Sequence, residues 1–449
     1  MMNIFKSNKN QLILIFCFAF ILRIIIFGIG CTDGYSFQTL DSTEYLTLSD
    51  QIIETGEYNQ GAEPEIFRSP GYPIFLAILK LCGLNILSII IVQIIIGAGT
   101  CLLVWRLAQE IFKHKQMAIT AALIQACSVV AIVFNLKILS ETIFTFMLIL
   151  GLLLIEISIN SAKKNVVRKN LWLAVFAGCA IAVCCLSRAI ILPLIPLLCG
   201  YIWWRCRKWQ PALLFTIPII VVFLGWSVRN YFVADYLGYS TVGSINLYRY
   251  NGCALLAKQN NRTFTVQQQQ CDKELDKYSS QPAKANFAKN QGLKIILNAP
   301  FSYAIIHLKA DLNNLLPASG ELFNIAGAEL GGNGTLAVIN SEGIISGVKH
   351  YFKGKWWLIF IALPMIIFLG LIYLFSLLGA TKVITTQAEQ RLVILLYIII
   401  IAWFLLIPGP ASHPRFRVPI SPLLAILAAT GTVNCYYYYK NIKSHLHKV

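Results

Sequence analysis

Apolar runs recur along this chain, and many of them are long enough to cross a membrane. A helix needs about 20 apolar residues to span the ~30 Å hydrocarbon core of a bilayer. Of the 449 residues, 57% are hydrophobic and only 13% are charged, which is too little charge to cover the surfaces of soluble domains. We therefore predict an all-α polytopic membrane protein of about ten spans. The predicted spans are residues 12–30, 85–111, 117–135, 141–159, 171–187, 190–204, 211–228, 356–378, 392–408 and 418–435.

Positive charge is distributed unevenly between the short connections of these spans. If the N-terminus is cytoplasmic, sixteen Lys and Arg residues fall in cytoplasmic segments and five in short outer loops. This bias predicts that both termini lie in the cytoplasm. The net charge of +17 then faces anionic lipid and needs no nucleic acid partner. The sequence contains neither GxxxxGK[ST] nor GxGxxG, so it lacks the phosphate loops of nucleotide-binding domains.

The spans divide the chain into three predicted parts. Residues 1–230 form a transmembrane module that includes a first outer loop, 31–84. Residues 231–350 form a small extracytoplasmic loop domain, and residues 351–449 form the C-terminal transmembrane helices.

Acidic residues are concentrated in the first outer loop. Eight of the twenty Asp and Glu residues lie between positions 31 and 65. The segment LDSTEYLTLSDQIIETGEY has the spacing of an amphipathic helix, and 70–83 is too short to cross, so both are predicted to be interfacial helices. Asp41 has two interpretations. With Glu44 it fits a capping box, and at the boundary of water and lipid it could also accept a proton from a hydroxyl group.

Arginines lie at the predicted outer ends of several spans. They are Arg68, Arg188, Arg229, Arg415 and Arg417. Each one alone is explained by snorkelling to the interface. Several on one face, beside an acidic loop, predict a phosphate site at the outer leaflet, because a guanidinium group donates two hydrogen bonds to phosphate at once.

Other polar residues have alternative interpretations. His413 could be a base or a ligand, or simply solvated, and Glu141 could serve the N-terminal dipole of a helix. Cys253 and Cys271 lie in the long outer loop, where they could form a disulfide or remain free thiols. The sequence has no HExxH and no pair of cysteines separated by two residues, and any metal requirement, such as a divalent ion, is left open.

The order of these motifs resembles the GT-C integral-membrane glycosyltransferases, in particular the family 39 type that includes protein mannosyltransferases and lipid A aminoarabinose transferase. The motifs are the acidic first loop, RSPGYP, LSET, SRAIILPLIP, GWSVRNY and HPRFRVPI. The resemblance covers residues 12 to 235 and 390–430. It implies a bacterial inner membrane enzyme that takes a sugar from a polyprenyl-phosphate donor to a lipid, glycan or protein acceptor on the outer face, with inversion.

The resemblance also implies roles for individual residues. Asp41 matches the family's base, but Ser42 follows it where many members have a second acid, so Glu63 or Glu65 would supply that acid. The donor phosphate would contact Arg68, Arg188, Arg415 and Arg417. Further candidates are Glu141, Arg229, His413 and Tyr45.

Two other kinds of protein are considered. A transporter or flippase of lipid-linked sugars would have charged or broken helices near mid-membrane and internal repeats, whereas Arg23 and Glu156 lie toward the ends of their spans and no repeat is evident. An O-antigen ligase or polymerase would place its arginines and histidine in a late outer loop, without an acidic first loop.

Overall fold

The apolar runs of the sequence form long helices in the computed structural model, which describes residues 2–328, 330, 338 and 342–446. The α-helices are α1 (Met2–Thr32), α2 (Leu40–Thr55), α3 (Gly71–Leu81), α4 (Ile86–Phe112), α5 (Lys115–Ala126), α6 (Val129–Asn135), α7 (Glu141–Lys163), α8 (Val167–Ser187), α9 (Ile195–Cys206), α10 (Trp209–Ala234), α11 (Val242–Asn246), α12 (Cys253–Gln259), α13 (Phe264–Leu275), α14 (Gln281–Asn298), α15 (Pro300–Asp311), α16 (Ser319–Ile325), α17 (Ile344–Tyr351), α18 (Ile359–Thr386), α19 (Ala388–Leu406) and α20 (Ser421–Leu446). Strands β1 (Asn59–Gln60) and β2 (Glu63–Pro64) form an antiparallel hairpin. The remaining short turns are Ala189–Leu194, Leu247–Gly252, Leu312–Leu315, Trp356–Leu358, Gly409–Ala411 and Pro414–Arg417.

Eight helical segments of the described chain are long and apolar enough to cross a membrane, and a bent pair of helices brings the number to nine. The eight segments lie in α1, α4, α7, α8, α9, α10, α18 and α19. They differ in burial: 72% of the apolar window of α7 is buried by protein, against 22% for α10 and 17% for α18. Helix α7 therefore lies in the interior of the bundle, while α10 and α18 present most of their surface to lipid.

The bent pair is α5 and α6, which meet at an angle of 52°. A buried arginine of α1 lies at the break. Arg23 Nε donates to Asn135 Oδ1 at 2.7 Å, and its Nη1 reaches the carbonyl oxygen of Ala126 at 3.4 Å. A broken helix leaves backbone groups unpaired in the membrane, and side chains of neighbouring helices can satisfy them. Because Arg23 is fully buried and bonded to protein, we assign it a structural role at this break.

The tenth predicted span, 418–435, lies in α20. This helix has 26 residues, but among the described helices it is not one of those apolar enough to qualify as a span by composition. Instead, α20 packs closely on α18. A Cβ atom at Gly379 would lie 2.1 Å from the carbonyl oxygen of Leu427, and one at Gly431 would lie 2.1 Å from that of Phe375. Small residues thus let the two backbones approach each other, as is common in membrane helix pairs.

The first outer loop contains both predicted interfacial helices, α2 and α3. Thr39 caps α2: its hydroxyl oxygen accepts the N–H of Ser42 at 3.3 Å, and the Ser42 hydroxyl accepts the N–H of Thr39 at 2.8 Å. The predicted capping box of Asp41 and Glu44 is therefore wrong, because the cap lies two residues earlier. Ser42 also donates to the carbonyl oxygen of Ile138 at 2.8 Å, which ties the start of α2 to the segment after α6.

The segment predicted as an extracytoplasmic domain, 231–350, folds into the short helices α11 to α17. A disulfide joins Cys253 and Cys271, and the two cysteines lie in a small core with Tyr248, Leu255 and Ile295. Positions 329, 331–337 and 339–341 of this predicted domain lie outside the described residues.

Candidate active site

Asp41 lies between two arginines that come from distant parts of the chain. Its Oδ1 accepts from Arg68 Nη2 at 2.7 Å, and its Oδ2 accepts from Arg415 Nη1 at 2.5 Å. The three residues are supplied by the first turn of α2, the segment before α3 and the turn before α20. The structure therefore brings together the acidic first loop and the HPRFRVPI motif, which are separated by more than 370 positions in the sequence.

The two arginines determine the charge of Asp41. Burial by itself would raise the pKa of this carboxyl group, but the positive charges and hydrogen bonds of Arg415 and Arg68 lower the pKa to about 2. Asp41 is consequently ionised at neutral pH, and both of its oxygens accept hydrogen bonds from guanidinium groups. A carboxylate held in this way binds protons weakly until the arginines acquire another partner.

Arg68 bridges two acids of α2. Besides Asp41, its Nε donates to Glu44 Oε2 at 2.6 Å. Its guanidinium carbon lies 5.3 Å from the centre of the Tyr45 ring and 5.1 Å from that of Phe67, in the range of cation–π contacts. Glu44 is a site residue that the sequence reasoning treated only as part of a cap. Its spacing of three from Asp41, on one helix face, is the signal that could have identified it.

Glu65, a predicted second acid, has a local structural role. Its carboxylate accepts the N–H groups of Phe67 and Arg68, the latter at 2.8 Å, and thereby fixes the turn that presents Arg68. Burial raises the pKa of Glu65, although these two N–H groups favour its charged form. Glu63, the other predicted second acid, is exposed in β2. Among the described residues, neither acid forms a hydrogen bond or an ion pair with Asp41, and the acid that shares Arg68 with Asp41 is Glu44.

Arg229 supports the same loop from the end of α10. Its Nη1 donates to the carbonyl oxygen of Glu65 at 2.7 Å, and its Nη2 donates to that of Tyr58 at 2.7 Å. The Tyr58 hydroxyl in turn donates to the carbonyl oxygen of Arg68 at 3.1 Å. Arg229, the arginine of the GWSVRNY motif, thus fixes the backbone of the loop that carries Arg68.

A second ion pair lies beside the first. Arg188, at the end of α8, pairs with Glu141 at the start of α7. The Phe416 ring contacts both Arg188 and Arg415: its centre lies 5.6 Å from the guanidinium carbon of Arg188 and 5.3 Å from that of Arg415. Glu141 Oε2 is buried and has no hydrogen-bond partner in the described structure. The SRAIILPLIP and LSET motifs therefore meet each other next to Asp41.

Arg417, which the sequence predicts to bind the donor phosphate, lies outside this cluster. It is 2% exposed, and its Nη1 donates to the carbonyl oxygens of Asn314 at 2.7 Å and Leu316 at 2.8 Å. It also donates to the Tyr373 hydroxyl at 3.0 Å. These bonds fix the turn before α20 against the segment 231–350, so Arg417 orients the turn that carries Arg415.

His413 belongs to a further cluster that the sequence did not indicate. Glu321, in α16, pairs with Lys137 at 2.5 Å and lies 3.5 Å from His413 Nε2. Hydrogen bonding from His413, together with the charge of Lys137, lowers the pKa of Glu321 to about 2 despite its burial. This contact links the segment 231–350 to the turn that carries Arg415. Glu321 lies almost 200 positions from Lys137 in the sequence, which is why no local pattern identified it.

An apolar groove begins near Arg417. It is lined by the junction of α5 and α6, by Pro317 and Ala318, by the first half of α18 and by the start of α20. Arg417 Nε is buried and has no hydrogen-bond partner in the described structure. The groove therefore combines an apolar wall with one cation at its edge. Within the described residues, no group of three His, Cys, Asp or Glu side chains is arranged to hold a metal ion.

Known proteins resemble this chain in one stretch of sequence and in fold. The model of the dolichyl-phosphate-mannose-protein mannosyltransferase family matches residues 68–228. The fold is similar to that of the oligosaccharyltransferase of the archaeon Archaeoglobus fulgidus. The TM-score is 0.55 for its apo form, with 13% identity over 98% of this chain and 52% of that one. For the same enzyme, AglB, in complex with an inhibitory peptide and a dolichol-phosphate, the TM-score is 0.52, with 14% identity over 99% and 52%.

The chain therefore spans about half the length of the solved structures that it matches. Its sequence has no match among curated proteins. The family match and the shared fold confirm the resemblance to GT-C glycosyltransferases that the order of motifs predicts.

Proposed function

We propose that this chain, with the fold of a GT-C glycosyltransferase and a segment matching the mannosyltransferase family, transfers a sugar from a polyprenyl-phosphate donor to an acceptor on the outer face of the membrane. The observation that carries the proposal is the pairing of Asp41 with Arg68 and Arg415. It places a carboxylate that can accept a proton beside two guanidinium groups that can hold a phosphate. We further propose a bacterial inner membrane location, with both termini in the cytoplasm.

The reaction requires a base and a stabilised leaving group. The acceptor hydroxyl attacks the anomeric carbon of the donor sugar, on the side opposite to the phosphate, and the bond from that carbon to the phosphate oxygen breaks. Asp41 takes the proton of the hydroxyl. The electron pair of the broken bond stays on the polyprenyl phosphate, whose growing charge Arg68 and Arg415 stabilise. The configuration at the anomeric carbon is thereby inverted.

Donor binding prepares Asp41 for this role. A phosphate that accepts hydrogen bonds from Arg68 and Arg415 weakens their hold on the carboxylate. The pKa of Asp41, which is about 2 while both arginines bond to it, then moves up toward its ordinary range. The base therefore becomes effective only when the donor is in place, and this order favours transfer over unproductive protonation.

The polyprenyl chain needs an apolar path from the membrane to the phosphate site. We place it in the groove between the junction of α5 and α6 and the helices α18 and α20. Arg417, at the edge of this groove, is two residues from Arg415. The acceptor would approach from the side of the extracytoplasmic segment, where Glu321 and His413 lie.

Transfer of a radiolabelled sugar from a polyprenyl phosphate to membrane acceptors tests the proposal. We expect Asp41→Asn to abolish transfer, because an amide cannot accept the proton, while the folded state persists since Thr39 caps α2. Asp50→Asn is a matched control on the same helix, where Asp50 pairs with Lys80. Near wild-type transfer by the Asp41 variant would remove the base from the proposal. Movement of the donor lipid across the membrane without transfer would instead indicate a flippase.

A further inference from the structure

An apolar stripe runs along the outward side of α15 and the turn that follows it. As far as Leu315 its residues recur at intervals of three and four positions, which places them on one face of a helix, and Leu316 follows directly. Their exposures range from 36% to 87%. The stripe consists of Phe301, Ile305, Leu308, Leu312, Leu315 and Leu316. A contiguous apolar surface of this kind on a water-exposed domain marks a contact with a protein or a membrane.

Two polar side chains of the same segment face the bundle and bond to it. Asp311 Oδ1 accepts from the N–H of Gly409 at 2.8 Å and from the Ser412 hydroxyl at 3.0 Å. Asn314 accepts the N–H of His413 at 3.1 Å and donates to the carbonyl oxygen of Leu405 at 2.8 Å. The segment is thus amphipathic, with its polar face on the turn that leads to Arg415.

The level of the segment relative to the spans identifies its surroundings. The Tyr373 hydroxyl donates to the carbonyl oxygen of Leu315 at 3.1 Å. Tyr373 lies seventeen residues after Trp356 and thirteen before Thr386, the two ends of an apolar segment long enough to cross a membrane, and so stands well inside that segment. The turn after α15 therefore lies at the level of an apolar span, beside helices whose exposed surfaces are apolar.

We infer that α15 and the turn after it lie in the outer leaflet as an amphipathic element, with the apolar stripe in contact with lipid. The stripe continues the exposed apolar surface at the outer end of α19, at Leu406 and Ile407. Lys309, exposed on the same helix, can extend to the headgroups. The segment contacts lipid on one side and forms hydrogen bonds to residues 409–413 on the other side. Together these contacts hold the Arg415 turn at the membrane surface. The inference depends on the membrane spans and not on the proposed reaction.

Photocrosslinking of the full-length protein in vesicles of phosphatidylcholine and phosphatidylglycerol tests this inference. The photoreactive amino acid p-benzoylphenylalanine replaces Phe301 in one variant and Leu308 in another, and Gln269, exposed and polar on α13, in a control. After irradiation, mass spectrometry identifies what is attached at each position. We expect the yield of phospholipid adducts at 301 and 308 to be at least about five times the yield at 269. The reason is that an interfacial helix buries its apolar face ~5–10 Å deep in the membrane.

Three results would overturn the inference. They are lipid adducts at 301 and 308 no more abundant than at 269, adducts to a second copy of the chain, and adducts to another protein. The two substituted positions are both exposed, and size-exclusion elution identical to that of wild type shows that each variant is folded. The photochemistry needs no transfer activity, so its outcome is independent of the proposed function.

Discussion

Among the described residues, the three arginines grouped around Asp41 each have a carboxylate partner. Arg68 and Arg415 share Asp41, Arg68 also serves Glu44, and Arg188 pairs with Glu141. A phosphate that enters this group exchanges partners with carboxylates instead of meeting free charges. The geometry of the guanidinium groups then matters more than their charge, because each must bond two acceptors at once.

Lysine at Arg68 or Arg415 should therefore slow transfer, although the charge is kept. We expect a roughly ten- to hundredfold lower rate, because a lost charge-assisted hydrogen bond costs about 1.5–3 kcal/mol. Steady-state kinetics with varied donor would measure it. Arg417→Lys is the comparison: its bonds are to carbonyl oxygens, so we expect a lower Tm and a smaller change in donor KM. Wild-type rates in both the Arg68 and Arg415 variants would contradict the phosphate site.

Glu321 should make the stability of the protein depend on acid pH. Its folded pKa, about 2, lies below the ordinary value, so its stabilising contribution is complete above the ordinary pKa and is lost as pH falls toward 2. We expect Glu321→Gln to cost about 1–3 kcal/mol at about pH 5, and less at about pH 3. Thermal unfolding in detergent would measure both, with Glu63→Gln as an exposed control. An equal cost at both pH values would show that the charge of Glu321 is not involved.

The sequence predicted Asp41 and the arginines of the RSPGYP, SRAIILPLIP and HPRFRVPI motifs as candidates, and the structure brings Asp41, Arg68, Arg188 and Arg415 into one region. The sequence could not distinguish the role of Arg415 from that of Arg417. The two arginines are two positions apart in one turn, and they differ only in the groups that the fold brings next to each of them. The sequence also could not find Glu321, since its partners come from segments remote in the chain. The functional roles of Asp41 and of these arginines stay predictions.

Among the elements, the break between α5 and α6 depends on a glycine of α4. A Cβ atom at Gly97 would lie 1.9 Å from Asn135 Oδ1, the acceptor of the Arg23 hydrogen bond. Gln93, one turn earlier, donates to the carbonyl oxygens of Asn135 and Lys137 at 3.1 and 2.8 Å. The end of α6 can lie against α4 only because no side chain stands at position 97.

Gly97→Ala should therefore displace Asn135 and disturb the segment that leads to Glu141. We expect a loss of about 1–3 kcal/mol in stability, as for overpacked sites and broken buried hydrogen bonds, with lower transfer activity. Gly99→Ala, on the same helix, is the matched control, because its Cβ would lie 3.5 Å from the nearest atom, in the Phe146 ring. Thermal unfolding and transfer assays on both variants would measure the effect. Equal tolerance of both substitutions would contradict the close packing at position 97.

The sequence predicted α2 and α3 well, since amphipathic spacing and insufficient length are local properties. The bend of 117–135 was not predicted, because a continuous apolar run looks the same whether it forms one helix or two. The side chain that bonds to both helices at the bend is Arg23, which belongs to another helix. Local patterns therefore gave the existence of the elements, and contacts between elements determined their shape.

For the whole molecule, the orientation in the membrane is the property most open to test. The distribution of Lys and Arg predicts that the connection between α7 and α8 is cytoplasmic and that the extracytoplasmic segment is outside. In a background without reactive native cysteines, an impermeant thiol reagent added outside should label Ser279→Cys and leave Lys164→Cys unlabelled until the membrane is permeabilised. Both positions are exposed, so burial would not explain a missing signal. Labelling at 164 from outside would reverse the predicted topology.

Helix α20 has a consequence for the biosynthesis of the protein. Its segment 420–430 is buried by protein, and its contact with α18 is made through Gly379 and Gly431. A helix that is not strongly apolar gains little by entering lipid alone, so a newly made α20 depends on helices that are already in the membrane. The insertion of α20 is therefore driven more by packing against the other helices than by transfer of its side chains from water to lipid. The Arg415 turn, immediately before α20, reaches Asp41 only when that last step is complete.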